Sequence, residues 1–432
     1  NIELNNRLSY VTLGPILPQI NVFGRQLGVS PSVMGMVTAV LPLLWAAAKP
    51  IFGYVVDYWP VSIRLKLVFM LLITVMTTSY CCLWFLPMPD QRETNTSSLL
   101  ESNVSRSEGT VEKKNDSFYM TAPFWAFVIL TCIGTVAFNV ANCIGDAVCF
   151  DVLGPDRGSK YGAQRAWGTA GYGLTALLGG WLIDSVSGEY KDFTPAFVVA
   201  MAATAVDLYS CRALTVTMGG SPSDNNQALV DGAIPKVMVF IIFAVVAGTF
   251  DSFIIYYMFW FLEELAEKTG HTAKIKLIEG VVVAAQSFVG EILFFYLSGK
   301  IIKRFGYGTT LTFSLFCYGV RMMSISFIQN PWHLLFIEGI MQGPTYALCY
   351  STIVGYAAHV APEGYSATIQ GIVAGMDDGV GFAIGSLVGG QLYSWLGGRN
   401  SFRVLAVTAV IGSGLHAVLF ALVSRSDKRK GG

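Results

Sequence analysis

Long apolar runs alternate along the chain with short polar, glycine or proline clusters. The runs fall at 8–24, 31–55, 65–87, 122–152, 160–186, 194–214, 236–262, 276–299, 307–328, 332–357, 365–392 and 401–423. Most approach or exceed the ~20 residues that a helix needs to cross a bilayer. A chain in lipid has to satisfy its own backbone hydrogen bonds, so such runs are read as helices. The pattern predicts an all-α polytopic membrane protein of twelve transmembrane helices. The first run is the weakest of the set. It is free of charge only over Leu8–Phe23, short for a span, which points to missing sequence near Leu8–Ser9.

Two breaks organise the rest. Residues 88–121 form a long polar stretch, and 215–235 separates six runs from six. The expected domains are an N-terminal six-helix bundle (1–214), a cytoplasmic central linker (215–235), a C-terminal six-helix bundle (236–424) and a cytoplasmic tail (425–432). Missing sequence is equally compatible with the 215–235 break. Basic residues lean towards the side holding the 55–65 and 299–307 turns, which places both termini in the cytoplasm. The 88–121 stretch then lies outside. It carries three acceptor sequons, at Asn95, Asn103 and Asn115, so glycosylation is expected there. Entry into a secretory pathway follows, and with it the plasma membrane or an endolysosomal membrane.

Composition agrees with the pattern. Hydrophobic residues make up 53% and charged residues 13%, against roughly 25% charged in soluble domains. The formal net charge is zero, which gives nucleic acid no hold. The eight cysteines all lie in apolar runs and read as small buried residues, with no metal or cofactor expected. No nucleotide-binding glycine loop and no nucleophile arrangement is present, so an enzyme is not expected. "GTAGYG" at 168–173 has glycines at membrane-helix packing spacing.

The two halves echo each other. "GYVVDYWPVSIRLK" (53–66) follows the second run and "GKIIKRFGYG" (299–308) follows the eighth. "YGAQR" (161–165) opens the fifth and "YSATI" (365–369) opens the eleventh. Matching loops at matching places indicate a parallel repeat, the arrangement in which solute binds near the midplane between halves. Gly53, Asp57 and Arg64, with the echo in Lys303 and Arg304, resemble the inner-loop signature of the major facilitator superfamily. Pro60 stands where a glycine is usual, and Lys303 takes the place of Asp57 in the second copy. In this resemblance Asp57 sits at a helix end near cations and latches the halves on the cytoplasmic side.

"FNVANCIGDAVCFD" followed by "YGAQRAWGTAGYG" is similar to the fourth and fifth helices of lactose permease-type proton symporters. The resemblance implies a carboxylate at Asp146, its arginine at Arg165 and an aromatic wall at Tyr172. "SFVGEILFFYLSGKIIKRFG", "EGIMQGPTYALCY" and the segment from Ala361 to Gly397 resemble an animal branch of the superfamily. That branch is largely unassigned in solute and includes a virus entry receptor.

Ionisable residues inside spans cost roughly 2.5–3.5 kcal/mol each on insertion scales and so are functional candidates. Asp146 and Arg165 flank a tight loop and should lie level on adjacent helices, with Tyr172 two turns further on the same face and Trp167 pointing elsewhere. Arg321 and Glu338 each fall about 9 Å below the outer surface and are placed to pair. Glu338 is the candidate proton carrier, because arginine keeps its proton and its partner must carry the charge change. Glu291, Asp377 and Asp378 are further proton-site candidates, and Asp251 a further cavity residue. Adjacent acids on a helix point about 100° apart, so only one of Asp377 and Asp378 faces a cavity squarely. Lys49 is expected to snorkel from the inner end of its span.

The function expected is alternating-access symport of a small polar organic solute, sugar- or nucleoside-like, with protons, in a lipid bilayer. Two alternatives stand beside it. One is a proton-independent uniporter; the other is a surface receptor or scaffold that meets an extracellular protein or virus partner through the 88–121 loop.

Overall fold

The computed structural model describes residues 31–58, 62–86, 121–153, 157–186, 194–212, 227–271, 275–362 and 365–430. Among these the regular structure is helical throughout. The N-terminal half contributes α1 (Pro31–Tyr58), α2 (Ser62–Cys82), α3 (Ala122–Leu153), α4 (Arg157–Val186) and α5 (Thr194–Arg212). The C-terminal half begins with α6 (Gln227–Thr269), α7 (275–305), α8 (Tyr307–Phe327) and α9 (333–360). It closes with α10 (366–396) and α11 (398–430), which are divided by Gly397 at φ 73°. These are the second to twelfth of the expected spans. The first span lies outside the described residues, as do Asn95, Asn103 and Asn115. One boundary differs: α6 starts at Gln227, inside the stretch read as linker. Gly232 and Pro235 interrupt that stretch, so its apolar residues do not read as part of the span.

Among the described residues, six stretches are long and apolar enough to cross a membrane by themselves: Val40–Tyr58, Leu67–Phe85, Ala122–Cys149, Val237–Thr269, Ile278–Phe305 and Ser366–Ser424. The helices α4, α8 and α9, which carry Arg165, Arg321 and Glu338, are not among them.

Each half has its own core. Phe69, Ile73, Met76, Phe127, Val140 and Ile144 pack together in the first; Phe243, Phe253, Leu262, Leu315, Met322 and Phe402 do so in the second. Large side chains such as Leu71, Ile129, Leu387, Ile411 and Val418 are exposed, as suits a lipid-facing surface.

The halves meet along two seams, α1 against α10 and α4 against α7. Both rely on glycine. A Cβ on Gly53 would stand 2.4 Å from the Ala367 carbonyl oxygen, and one on Gly162 would stand 1.9 Å from that of Phe295. Only a residue without a side chain allows backbones this close.

Three helices of the C-terminal half contain a π turn: Gln286–Glu291 in α7, Gly343–Ala347 in α9 and Gly375–Gly381 in α10. Such turns are rare and tend to mark functional sites. Here the first and third contain Glu291, Asp377 and Asp378, and the second follows Glu338 by one turn.

Candidate functional site

The largest polar cluster of the C-terminal half is built on Arg321. This side chain is 1% exposed and Glu338 is 0% exposed. Arg321 Nε donates to Glu338 Oε1 at 2.9 Å, and a terminal nitrogen pairs with Oε2, giving the two-pronged geometry that makes arginine–carboxylate contacts strong. The other terminal nitrogen donates to Thr345 Oγ1 at 2.7 Å, inside the α9 π turn. Gln286 Nε2, from the α7 π turn, also donates to Glu338. In the reverse direction Gln342 of α9 donates to Glu291 of α7 at 2.9 Å. Each helix thus offers one glutamine to the other's glutamate. Gly290 and Gly343 let the two turns touch: a Cβ on Gly343 would lie 2.7 Å from the Gly290 oxygen.

Asp251 of α6 accepts a hydrogen bond from the Tyr318 hydroxyl at 3.1 Å. It lies within electrostatic reach of Arg321 and Glu338. Acids and cations from α6, α7, α8 and α9 are therefore brought into one region.

A second cluster sits on the seam. Arg165 Nη1 lies 3.1 Å from Asp146 Oδ1, and both side chains are buried. The tight α3–α4 connection makes this pair local. From the opposite half, Tyr350 donates its hydroxyl to Asp146 Oδ2 at 2.7 Å, and its ring lies 4.5 Å from the Arg165 guanidinium carbon, a cation–π contact. Tyr346, one turn earlier, also hydrogen-bonds Arg165. Tyr172 is half-buried on α4, within electrostatic reach of Glu291. Trp167 is exposed.

Two further contacts cross the halves. Lys49 of α1 forms an ion pair with Asp378 of α10, while Trp45 Nε1 donates to the Asp378 carbonyl at 3.0 Å. Lys49 is 3% exposed, which corrects the expectation that it snorkels to the surface. A partner 329 residues away holds it inside. Asp57 accepts from the Ala367 and Thr368 backbone N–H groups at 3.1 and 2.6 Å and from the Thr368 hydroxyl at 2.6 Å. Its described partners are thus the first turn of α10, where a helix presents unpaired N–H groups to an anion, rather than cations. The Arg64 side chain lies outside the described residues, and Lys303 and Arg304 are exposed at the end of α7.

Tyr346, Tyr350, Thr345 and Trp45 had no signal in the sequence that separates them from ordinary packing. Gln286 and Gln342 did: an amide inside an apolar span is costly unless paired.

The chain belongs to the MFS_1 like family, whose model matches residues 8–404. It is thus a multi-pass membrane transporter of the major facilitator type, not an enzyme. Among curated relatives, the maltose permease of Geobacillus stearothermophilus is 21% identical over 398 residues, covering 89% of this chain and 85% of that one. Major facilitator superfamily domain-containing protein 6-like protein A of Xenopus laevis is 23% identical over 167 residues, covering 39% of this chain and 25% of that one. Among solved structures, the nucleoside transporter NupG matches with TM-score 0.60 at 15% identity, over 97% of this chain and 98% of that one. The human organic anion transporter MFSD10 (TETRAN) matches with TM-score 0.63 at 15% identity, over 98% and 97%. At these identities the solved structures speak for the fold alone.

Proposed function

We propose that the protein is a proton-coupled symporter of a small polar organic solute, sugar- or nucleoside-like, working by alternating access of the two halves. The observation that carries this reading is the buried Arg321–Glu338 pair with Gln286 and Thr345 around it. An ionised Glu338 holds the guanidinium on two prongs. A proton on Glu338 removes that anion, and the permanently charged Arg321 turns to another acceptor, with Asp251 in reach. Proton arrival thereby changes the side-chain pattern between the halves.

Asp146, Arg165 and Tyr172 form the solute-binding wall of the N-terminal half; Asp251 and Arg321 face them from the other. Glu291, Asp377 and Asp378 are further acids in the same region. Gly53, Asp57, Arg64, Lys303 and Arg304 belong to the cytoplasmic gate. With Asp57 seated on α10 and Gly162 against Phe295, we read the protein as shut on the cytoplasmic side. The maltose named for a curated relative supports the polar solute class.

The test is uptake into proteoliposomes across a panel of sugars, nucleosides and amines, with an inward proton gradient imposed or collapsed. Accumulation that depends on the gradient supports the reading. Uptake insensitive to the gradient identifies a uniporter, and no uptake of any solute removes the transport assignment.

A further inference from the structure

The charges between the halves do not balance. Three buried cations are present there among the described residues, and each is taken: Lys49 by Asp378, Arg165 by Asp146 and Arg321 by Glu338. Three acids remain. Asp251, 6% exposed, accepts one hydrogen bond from Tyr318. Glu291 accepts one from Gln342. Asp377, nine-tenths buried at 9% exposure, makes no hydrogen bond or ion pair among the described residues. Its Oδ1 lies 2.9 Å from where a Cβ on Gly248 would stand, so it is aimed at α6 one turn from Asp251.

Asp251 lies within electrostatic reach of both Glu291 and Asp377. Tyr172 and Tyr346 lie within the same reach of Glu291. Carboxylates with tyrosines within reach are surroundings that suit an ammonium group, through charge pairing and contact with aromatic rings. Arg321, Arg165 and Lys49 lie within electrostatic reach of these acids, but each already pairs directly with another carboxylate, and a neutral sugar would add no partner of opposite charge.

We propose that the transported solute is a small organic cation, and that Asp251, Glu291 and Asp377 form the subsite for its protonated amine. This rests on the transport reading above and narrows it. Glu291 and Asp377 take the amine in this assignment, and Glu338 keeps the proton.

The experiment is uptake into proteoliposomes of matched solutes: glucosamine against glucose, with agmatine and tetraethylammonium as further cations, the last permanently charged. Glucosamine or another cation accumulates above empty liposomes, and glucose neither accumulates nor competes. Asp377→Asn weakens apparent cation affinity roughly 30-fold, the loss expected when one partner of a buried charge contact is removed, and Asp377→Glu restores most of it. With no solute present, Asp377→Asn melts higher than the wild type, since an unpaired buried charge is gone. This second readout shows that the variant folds, and Asp251→Asn repeats the test at the neighbouring acid. If neutral sugars or nucleosides accumulate while every cation fails to enter or compete, the cation subsite is wrong and the transport reading stands. If nothing of either kind moves, both fall.

Discussion

The two arginine clusters differ in what a rocking motion would do to them. Arg321 and Glu338, with Gln286 and Thr345, all belong to α7, α8 and α9 of one half. Their bonds can persist while the halves move. Arg165 and Asp146 also share a half, but Tyr346 and Tyr350 reach them from the other. Those bonds have to break whenever that seam opens. The internal cluster is therefore suited to store a charge state, and the seam cluster to register whether the halves are shut. The α9 π turn joins the two, with Thr345 on Arg321 and its neighbour Tyr346 on Arg165.

The largest effect expected is at the internal cluster. Glu338→Ala leaves Arg321 charged and buried, a loss of about 3–5 kcal/mol. It should appear as a large drop in melting temperature of the purified protein in detergent, and Glu338→Gln, which restores an acceptor oxygen but not the charge, should recover only part of it. The seam responds differently. Gly162→Leu drives a side chain into the Phe295 carbonyl, so the shut end cannot form. Spin labels at Tyr58 and Phe305, both exposed and near the same end of opposite halves, should report a longer distance, with the shut population reduced roughly 100-fold. Stability should change far less than for Glu338→Ala if the opened state is itself well packed.

A finer division comes from Tyr350→Phe. The ring stays over Arg165 while one hydroxyl bond to Asp146 is lost. A single neutral-donor bond contributes about 1 kcal/mol, so the label distance distribution should move about 5-fold towards the open population. The same substitution should leave the Arg321–Glu338 response unaltered. At the small end, Trp167→Ala, on an exposed face of α4, should stay within about 0.5 kcal/mol of the wild type in melting and in label distances. A large effect there would mean that this face serves a partner rather than lipid.

What was legible in the chain follows the same division. Asp146 and Arg165 are separated by one tight loop, and depth along two helices suffices to pair them. Arg321 and Glu338 likewise fall on consecutive helices. Contacts between halves left no local trace. Lys49 looked like a residue reaching for the surface because its partner, Asp378, lies on α10. Asp57 looked like a loop latch among cations because the N-terminus of α10 was invisible as an acceptor of anions. The π turns were also hidden, since one extra residue in a helical turn does not change an apolar pattern. They re-aim Thr345 and Tyr346 without altering which residue types appear.

The most direct test of the central claim is the transport phenotype of Glu338→Gln, measured as two quantities on the same proteoliposomes. Account and geometry predict loss of accumulation driven by a proton gradient, with exchange of labelled for unlabelled solute at equal concentrations retained. If Glu338→Gln accumulates solute against a gradient as the wild type does, the Arg321–Glu338 pair is not where the proton is coupled, and the proposed mechanism fails.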